Sequence, residues 1–366
     1  MGYDVALPRS EVIHNRRLLP ISMQDTSSVL AYHPSRDAAP DALAAGLTLL
    51  VALPALNEQR TVGDVIRRIP RQIPGVESVE VLVVDDGSDD GTSEAAADAG
   101  AAIIRHSRSR GVGAAFHSAL AYGIEQGVDL IVSIDSDGQF NPADIPTLIA
   151  PVVSGTADFS TASRFKDPAL LPDMPWIKLW GNRMMSRLIS SLAGQEFFDV
   201  SCGMRCYSSR AALQLHLLAR FTYTQEVFLN LAFKQMRMVE VPIKVRGERE
   251  FGKSRVASNL WRYGFRTAQI IFRCYRDYHP LRFFGAVSAA LGVVSLILGT
   301  FFLVHYVRSG SFYPHTWAGV SAGALLGLSL LTLHIGIIGD MLNRHRIYLE
   351  EILYRQRRGA GRNGRG

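Results

Sequence analysis

The stretch Ile131-Val132-Ser133-Ile134-Asp135-Ser136-Asp137-Gly138-Gln139 joins an apolar run to two carboxylates one residue apart. Leu130 to Ile134 reads as a buried strand. Gly138 allows a sharp turn, and Asn141-Pro142 closes it ahead of a helical segment. Carboxylates at i and i+2, at the exposed carboxyl end of a strand, can grip a divalent cation. Such a cation is worth most beside phosphates whose charge it neutralises. A turn in which Asp135 and Asp137 only hydrogen-bond their own backbone has the same sequence. The flanking chain separates the two readings.

Leu47 to Leu53 is a continuous apolar run suited to a strand buried on both faces. The loop Pro54-Ala55-Leu56-Asn57-Glu58 follows, then helical spacing from Thr61 to Arg68. Val79 to Val84 is a second buried strand and ends in Asp85-Asp86-Gly87-Ser88-Asp89-Asp90-Gly91-Thr92. Ala95 to Ala99 reads as helix, Ala101 to Arg105 as a short strand and Gly113 to Gln126 as helix. This alternation predicts an α/β domain with a mostly parallel, Rossmann-like sheet covered on both faces. Ligands of such sheets sit beyond the carboxyl ends of the strands. Here three of those ends are polar: Asn57-Glu58, Asp85-Asp86 and Asp135-x-Asp137. A dinucleotide-binding fold would need Gly-x-Gly-x-x-Gly directly after the first strand. The chain has Pro-Ala-Leu-Asn-Glu there, and Gly111-Val112-Gly113 comes later with Phe116 in the third glycine's place. Hydride transfer is excluded.

A chain of 366 residues holds a domain of ordinary size plus further elements, and its net charge of +6 is modest. No nucleic-acid partner is expected. Cys202, Cys206 and Cys274 are too few and too oddly spaced for a disulfide framework or a zinc site, which fits a reduced compartment. Residues 1–46 lack an apolar signal core, because Arg9, Arg16, Arg17 and Asp25 interrupt every hydrophobic run. They are expected to form a poorly ordered leader.

The loop Pro54 to Glu58, the run Val83-Val84-Asp85-Asp86-Gly87-Ser88 with Asp90-Gly91-Thr92, and Asp135-x-Asp137-Gly138-Gln139 resemble the family 2 glycosyltransferases of GT-A fold. Within that family the likeness is to dolichyl- and polyprenyl-phosphate sugar transferases, and it covers residues 47–255. The resemblance implies that Pro54, Asn57, Glu58, Asp85, Asp86, Ser88 and Gly113 hold the nucleotide, with Asp86 nearest the ribose or base and Glu58 near the base. It implies Mg2+ or Mn2+ on Asp135, Asp137 and Gln139, bound to the diphosphate. Ser109 stands where the family often has Asn, and carries no assigned role. Ser163-Arg164 resembles the family's segment where arginine meets phosphate. Asp199-Val200-Ser201-Cys202-Gly203-Met204-Arg205 resembles an element on the acceptor and sugar side, and Tyr223 to Glu226 and Val241-Pro242-Ile243 follow in order. Arg249-Glu250-Phe251-Gly252-Lys253-Ser254 resembles a mobile loop that closes over phosphates; a plain surface turn is its alternative.

Arg183, Ser186 and Arg187 fall on one helical face by the i, i+3, i+4 rule, which suits phosphate recognition or, equally, a solvated face. The acceptor-phosphate set implied is Arg164, Arg183, Ser186, Arg205, Arg249, Lys253 and Ser254. The catalytic set implied is Asp137, Asp199, Arg183 and Arg249, with Asp199 orienting the acceptor or a sugar hydroxyl.

Asn259 to Arg276 mixes Leu260, Tyr263, Phe265, Ile270, Ile271 and Phe272 with Arg262, Arg266, Arg273 and Arg276, a basic amphipathic pattern suited to a membrane surface. Phe283 to Val307 has no Asp, Glu, Lys or Arg and is long enough to span hydrocarbon. Arg308 to His315 links it to a second such run, Trp317 to Gly339. Gly319, Gly323 and Gly327 would let helices approach closely, within the hairpin or between copies in a homo-oligomer. Arginines precede the first span and follow the second, with Arg308 alone between, so both termini and the catalytic domain are expected in the cytoplasm. The expected organisation is a leader at 1–46, a GT-A domain at 47–255, juxtamembrane amphipathic helix at 256–281, a two-helix transmembrane hairpin at 282–340 and a basic tail at 341–366.

The function expected is metal-dependent, inverting transfer of one sugar from a UDP- or GDP-hexose to a polyprenyl phosphate. The rivals are a family 2 enzyme acting on a saccharide or protein with the spans as anchor, and a non-catalytic membrane adaptor. A processive synthase would show Gln-x-x-Arg-Trp, which is absent from the sequence.

Overall fold

The computed structural model describes residues 46–172, 174–215, 224–246 and 260–363, with backbone alone at 260–267 and 358–363. The expected leader, Tyr223 and the loop carrying Arg249, Lys253 and Ser254 lie outside the described residues. So do the side chains of Leu260, Arg262, Tyr263, Phe265 and Arg266.

Strand β1 (Leu47–Ala55) is an interior strand of the sheet, and its unbroken apolar sequence has a plain cause. Leu49, Val51, Leu53 and Ala55 enter one hydrophobic core while Leu50 and Ala52 enter another on the opposite face. Strands β2 (Val76–Asp85) and β4 (Leu130–Ser133) flank β1 in parallel, and β3 (Ala102–Arg105) lies outside β2. Beyond β4 come β6 (Arg205–Ser208), β5 (Phe159–Ser163) and β7 (Met238–Pro242), giving the order β3-β2-β1-β4-β6-β5-β7. β6 runs antiparallel to both its neighbours, and β5 and β7 are parallel to each other. The mostly parallel, GT-A-like sheet expected is therefore present, with one reversed strand that the motif reading of Asp199 to Arg205 did not separate out. Its reversal pairs Arg205 with Ser133, which carries the 199–204 turn back to the carboxyl end of β4.

Helices α1 (Val62–Arg67), α2 (Thr92–Asp98) and α4 (Ile145–Val153) cover one face of the sheet. Helices α3 (Val112–Glu125), α5 (Trp176–Ala193), α6 (Ser209–Gln214), α7 (Thr224–Phe233) and α8 (Leu260–Tyr278) pack on the other. Phe159 sits between Tyr207 and Phe228 in this second core, with ring centroids 5.1 and 5.6 Å away.

Two long helices follow, α9 (Pro280–Ser309) and α10 (Thr316–Asn363). Both are long and apolar enough to cross a membrane, with mean hydropathy of 2.4 and 1.9 in their most apolar stretches. Leu296, Ile297 and Leu331 point outward, as lipid-facing side chains do. The hairpin closes through small residues repeating every seven positions. Gly292 lies against Ser329 and Gly299 against Ala322. Ser288 Oγ donates to Ser329 O at 2.8 Å, and Ser295 Oγ to Ala322 O at 2.7 Å. Of the glycine stripe expected to make this contact, only Gly319 does so, against the Phe302 ring; a Cβ on Gly323 or Gly327 would meet nothing. A four-residue step drifts around a helix of 3.6 residues per turn, so such a stripe leaves the interface.

Helix α10 does not end near Gly339. It continues as one helix of 48 residues, and its far half returns to the catalytic domain. There Lys234 Nζ meets Glu350 Oε2 at 2.9 Å, the Arg346 guanidinium stands 3.9 Å over the Tyr278 ring, and Asn343 Nδ2 donates to Tyr278 O at 3.2 Å.

Candidate active site

The loops beyond β1, β2 and β4 are sewn together by hydrogen bonds between residues far apart in sequence. Asn57 N donates to Ser88 Oγ at 2.9 Å, and Asp89 N returns a bond to Asn57 Oδ1 at 2.9 Å. Glu58 N donates to Thr92 Oγ1 at 2.9 Å, and Ser136 Oγ to Pro54 O at 2.8 Å. Asn57 adopts φ 55°, a left-handed conformation that Asn tolerates better than most residues, and this lets the loop double back. Glu58 Oε2 accepts from Thr61 Oγ1 at 3.2 Å across the start of α1.

Asp85 and Asp86 are both buried, and both hold the chain in place. Asp85 accepts from Ser88 N at 2.8 Å and from the Ser93 hydroxyl. Asp86 accepts from Ser109 Oγ at 2.8 Å, Arg110 N at 2.9 Å and Gly111 N at 2.8 Å, and its Oδ1 lies 2.7 Å from His106 Nδ1. Burial alone would raise the Asp86 carboxyl; the bonds from His106, Arg110, Gly111 and Ser109 outweigh it and hold the group below the usual aspartate range. The carboxylate thus satisfies amides at the amino-terminal end of α3, where negative charge is favoured. Asp86, buried like Ser88 and Asp137 at these strand ends, anchors the 106–111 loop. Gly113 is buried in the first turn of α3. His106 and Ser109 were missed by the sequence reading. The departure from Asn at 109 was visible, but its partner lies 23 residues away.

Beyond β4, Asp137 Oδ1 accepts from Gln139 N at 3.0 Å, which fixes the turn. Gln139 Nε2 donates to Arg246 O at 3.4 Å, which orients its amide. Asp135, Asp137 and the Gln139 amide oxygen make a set of hard oxygen donors that fits Mg2+ or Mn2+. Among the described residues no group of three or more His, Cys, Asp or Glu side chains could hold a metal alone. A cation held by these residues would take its remaining ligands from phosphate and water, as Mg2+ usually does beside nucleotides.

Arg164, at the end of β5, closes a two-pronged pair with Asp199: Nε to Oδ2 at 2.6 Å and Nη2 to Oδ1 at 2.9 Å. Nη2 also donates to Ser201 Oγ at 2.8 Å, and Ser201 Oγ to Asn182 Oδ1 at 2.7 Å. Burial pushes the Asp199 carboxyl up, but the Arg164 charge and hydrogen bonds overcome this and hold it low. Behind it the buried Glu240 accepts from Phe198 N at 2.9 Å and Asp199 N at 2.7 Å. Asp199 is fully buried and holds the Arg164 guanidinium in place.

The remaining expected phosphate ligands divide. Arg205 is fully buried and donates to the carbonyls of Cys202 at 2.8 Å, Thr224 at 3.0 Å and Val200 at 3.3 Å, so it builds the turn and not the cleft surface. Ser186 is turned inward and donates to Phe198 O at 2.9 Å. Arg183 and Arg187 stand exposed on α5 with no acidic partner among the described residues. The three residues do not share one outward face; the hundred degrees of rotation per residue put Ser186 on the side facing the 197–199 segment.

Residues 50–215 match the model of glycosyl transferase family 2. The chain is 31% identical over 199 residues to an uncharacterised protein of Methanocaldococcus jannaschii, across 54% of this chain and 80% of that one. The chain belongs to glycosyl transferase family 2. Another member of this family, the undecaprenyl-phosphate 4-deoxy-4-formamido-L-arabinose transferase of an Enterobacter species, is 29% identical over 326 residues. That match covers 83% of this chain and 93% of the relative. Among solved structures, glucosyl-3-phosphoglycerate synthase of Mycobacterium tuberculosis, crystallised with Mn2+, UDP and its product, superposes with a TM-score of 0.50 at 22% identity. It covers 65% of this chain and 81% of that one, and the likeness is one of fold. The glycosyltransferase described here adds to that fold two helices long and apolar enough to anchor it in a membrane.

Proposed function

We propose that this family 2 glycosyltransferase moves one sugar from a nucleotide-sugar donor, a UDP- or GDP-hexose, to a polyprenyl phosphate in the membrane. The observation that carries this reading is the joining of two features in one chain. The polar loop after β1 is bonded to the loop after β2 through Asn57 and Ser88 and to the Asp135–Asp137 turn after β4 through Pro54 and Ser136, and the same domain is braced by the helix that forms half of an apolar hairpin. The similarity to an undecaprenyl-phosphate sugar transferase extends over 83% of this chain and supports a lipid acceptor.

In this proposal the loops around Pro54, Asn57, Glu58 and Ser88 seat the nucleotide, with Asp85 and Asp86 holding those loops. Asp135, Asp137 and Gln139 would hold Mg2+ or Mn2+, which neutralises charge on the departing nucleoside diphosphate. Exposed Arg183 and Arg187 face the acceptor phosphate, Arg249, Lys253 and Ser254 complete that set, and Arg164 is fixed by Asp199. A phosphate monoester has a second pKa near about 6, so at neutral pH the acceptor is already an anion and needs no strong general base. The protein's task is to align two charged groups for attack with inversion at the anomeric carbon. The excess of arginine on the domain side of both spans favours a cytoplasmic active site. Gly323 and Gly327, open on α10, offer a surface for a second copy.

The test is sugar transfer by the full chain in detergent or vesicles, with undecaprenyl phosphate, a panel of labelled UDP- and GDP-sugars, and Mg2+ or Mn2+ present or removed. A lipid-linked sugar formed only with metal and lost in Asp137→Ala is the expected result. Metal-dependent cleavage of donor without lipid product would overturn the acceptor and leave the donor half standing. No reaction with any donor would favour a non-catalytic adaptor.

A further inference from the structure

Gly203 lies in the turn between Asp199 and β6, two residues before Arg205 pairs with Ser133. A Cβ built on Gly203 would meet the Asp135 side chain, with Cγ at 2.8 Å, Oδ1 at 2.9 Å and Oδ2 closer still. The three nearest atoms all belong to Asp135. The backbone does not explain the glycine, because Gly203 is not among the residues with positive φ. The atoms that a side chain here would strike first are those of the Asp135 carboxylate.

When that space is filled, one of the two parts must move. The turn is held on three sides: Arg205 grips the carbonyls of Val200, Cys202 and Thr224, Glu240 binds the amides of Phe198 and Asp199, and Asp199 is locked to Arg164. The Asp135 atoms struck are the far end of a short, partly exposed side chain that turns about its Cα–Cβ and Cβ–Cγ bonds. The carboxylate moves before the turn does.

We propose that Gly203 is a positioning residue for the cation: its bare Cα seats the Asp135 carboxylate and so sets the geometry of the Asp135/Asp137 pair. This inference rests on the metal reading proposed above. Groups that orient a metal ligand typically change affinity by about 10- to 100-fold when altered.

The experiment is Mn2+ binding, followed by electron paramagnetic resonance of free Mn2+, on the full chain in detergent. It compares wild type, Gly203→Ala, Asp135→Ala and the double variant, with thermal melting of each. Gly203→Ala is expected to weaken Mn2+ by about 10-fold or more. In the Asp135→Ala background the same change is expected to have no further effect on Mn2+ or on melting, because the atoms it strikes are gone. That second comparison decides the matter even when Gly203→Ala alone folds poorly. Wild-type affinity in Gly203→Ala overturns the inference while the metal reading stands. So does an equal loss, in binding or folding, on the Asp135→Ala background. A wild-type chain that takes up no Mn2+ overturns the metal reading and this inference with it.

Discussion

At the scale of single residues, acidic side chains that look alike in sequence serve opposite ends. The turn carrying Asp135 and Asp137 was legible as the polar end of a buried strand, and in the structure Asp137 also bonds the turn's own backbone. The role of Asp86 was not legible, since a carboxylate beyond a strand looks the same whether it faces a ligand or its own loop. What decides is a set of contacts to Ser109, Arg110 and Gly111, more than twenty positions away. Glu240 gave no signal at all, being one acid within an ordinary strand. Its carboxyl is pushed up, first by burial and further by the charge of Asp199, although two backbone amides pull it back. The sign follows: a carboxyl that holds its proton more tightly when folded stabilises the fold fully below the ordinary glutamate range. That contribution is lost as pH rises through the raised value. Asp85, Asp86 and Asp158 are held low, so their contribution is present above the ordinary aspartate range and is lost as pH falls through the depressed values. Melting temperature should therefore peak in mild acid, and Glu240→Gln should flatten the decline on the alkaline side while leaving the acid limb. Parallel melting curves for the two proteins across pH would remove this account of Glu240.

At the scale of elements, the central strands were legible because β1, β2 and β4 are buried on both faces and carry unbroken apolar runs. The reversed strand β6 was not, since four residues carry no periodicity that distinguishes direction. Length and hydropathy revealed the two spans, but not the face through which they meet. The helices join through small residues seven apart, and the exposed glycine stripe misled because spacing alone does not say which side of a helix has a neighbour. Gly336 lies against Phe284, where an added Cβ would come within 3.0 Å, whereas Gly323 faces open space. Gly336→Leu is expected to lower the melting temperature of the detergent-solubilised chain, through overpacking of about 1–3 kcal/mol. Gly323→Leu should leave it unchanged. Equal effects of the two would mean that the hairpin packs by another face.

At the scale of the whole molecule, the hairpin is more than an anchor, because its second helix returns to the catalytic domain. This was illegible in sequence: the tail after Asp340 reads as a basic segment, and only the fold brings Glu350 to Lys234 and Arg346 to Tyr278. The ion pair is largely buried, its side chains 11% and 18% exposed, so removing one partner leaves a charge that the interior solvates poorly. The two partners are not equivalent. Arg346 Nε also lies 3.5 Å from Glu350, so Lys234→Met leaves Glu350 with a second cation, whereas Glu350→Met removes the acid that both cations share. Glu350→Met should therefore cost about 3 kcal/mol and Lys234→Met distinctly less, with the double variant recovering part of the larger loss. Denaturant or thermal unfolding of the three proteins measures this. The functional consequence follows from the geometry: loosening the brace frees the cleft to shift relative to the spans. Nucleotide binding should persist in Glu350→Met while transfer to a membrane-embedded acceptor falls. If both fall together, or Lys234→Met proves the more damaging, the brace does not couple the domain to the hairpin.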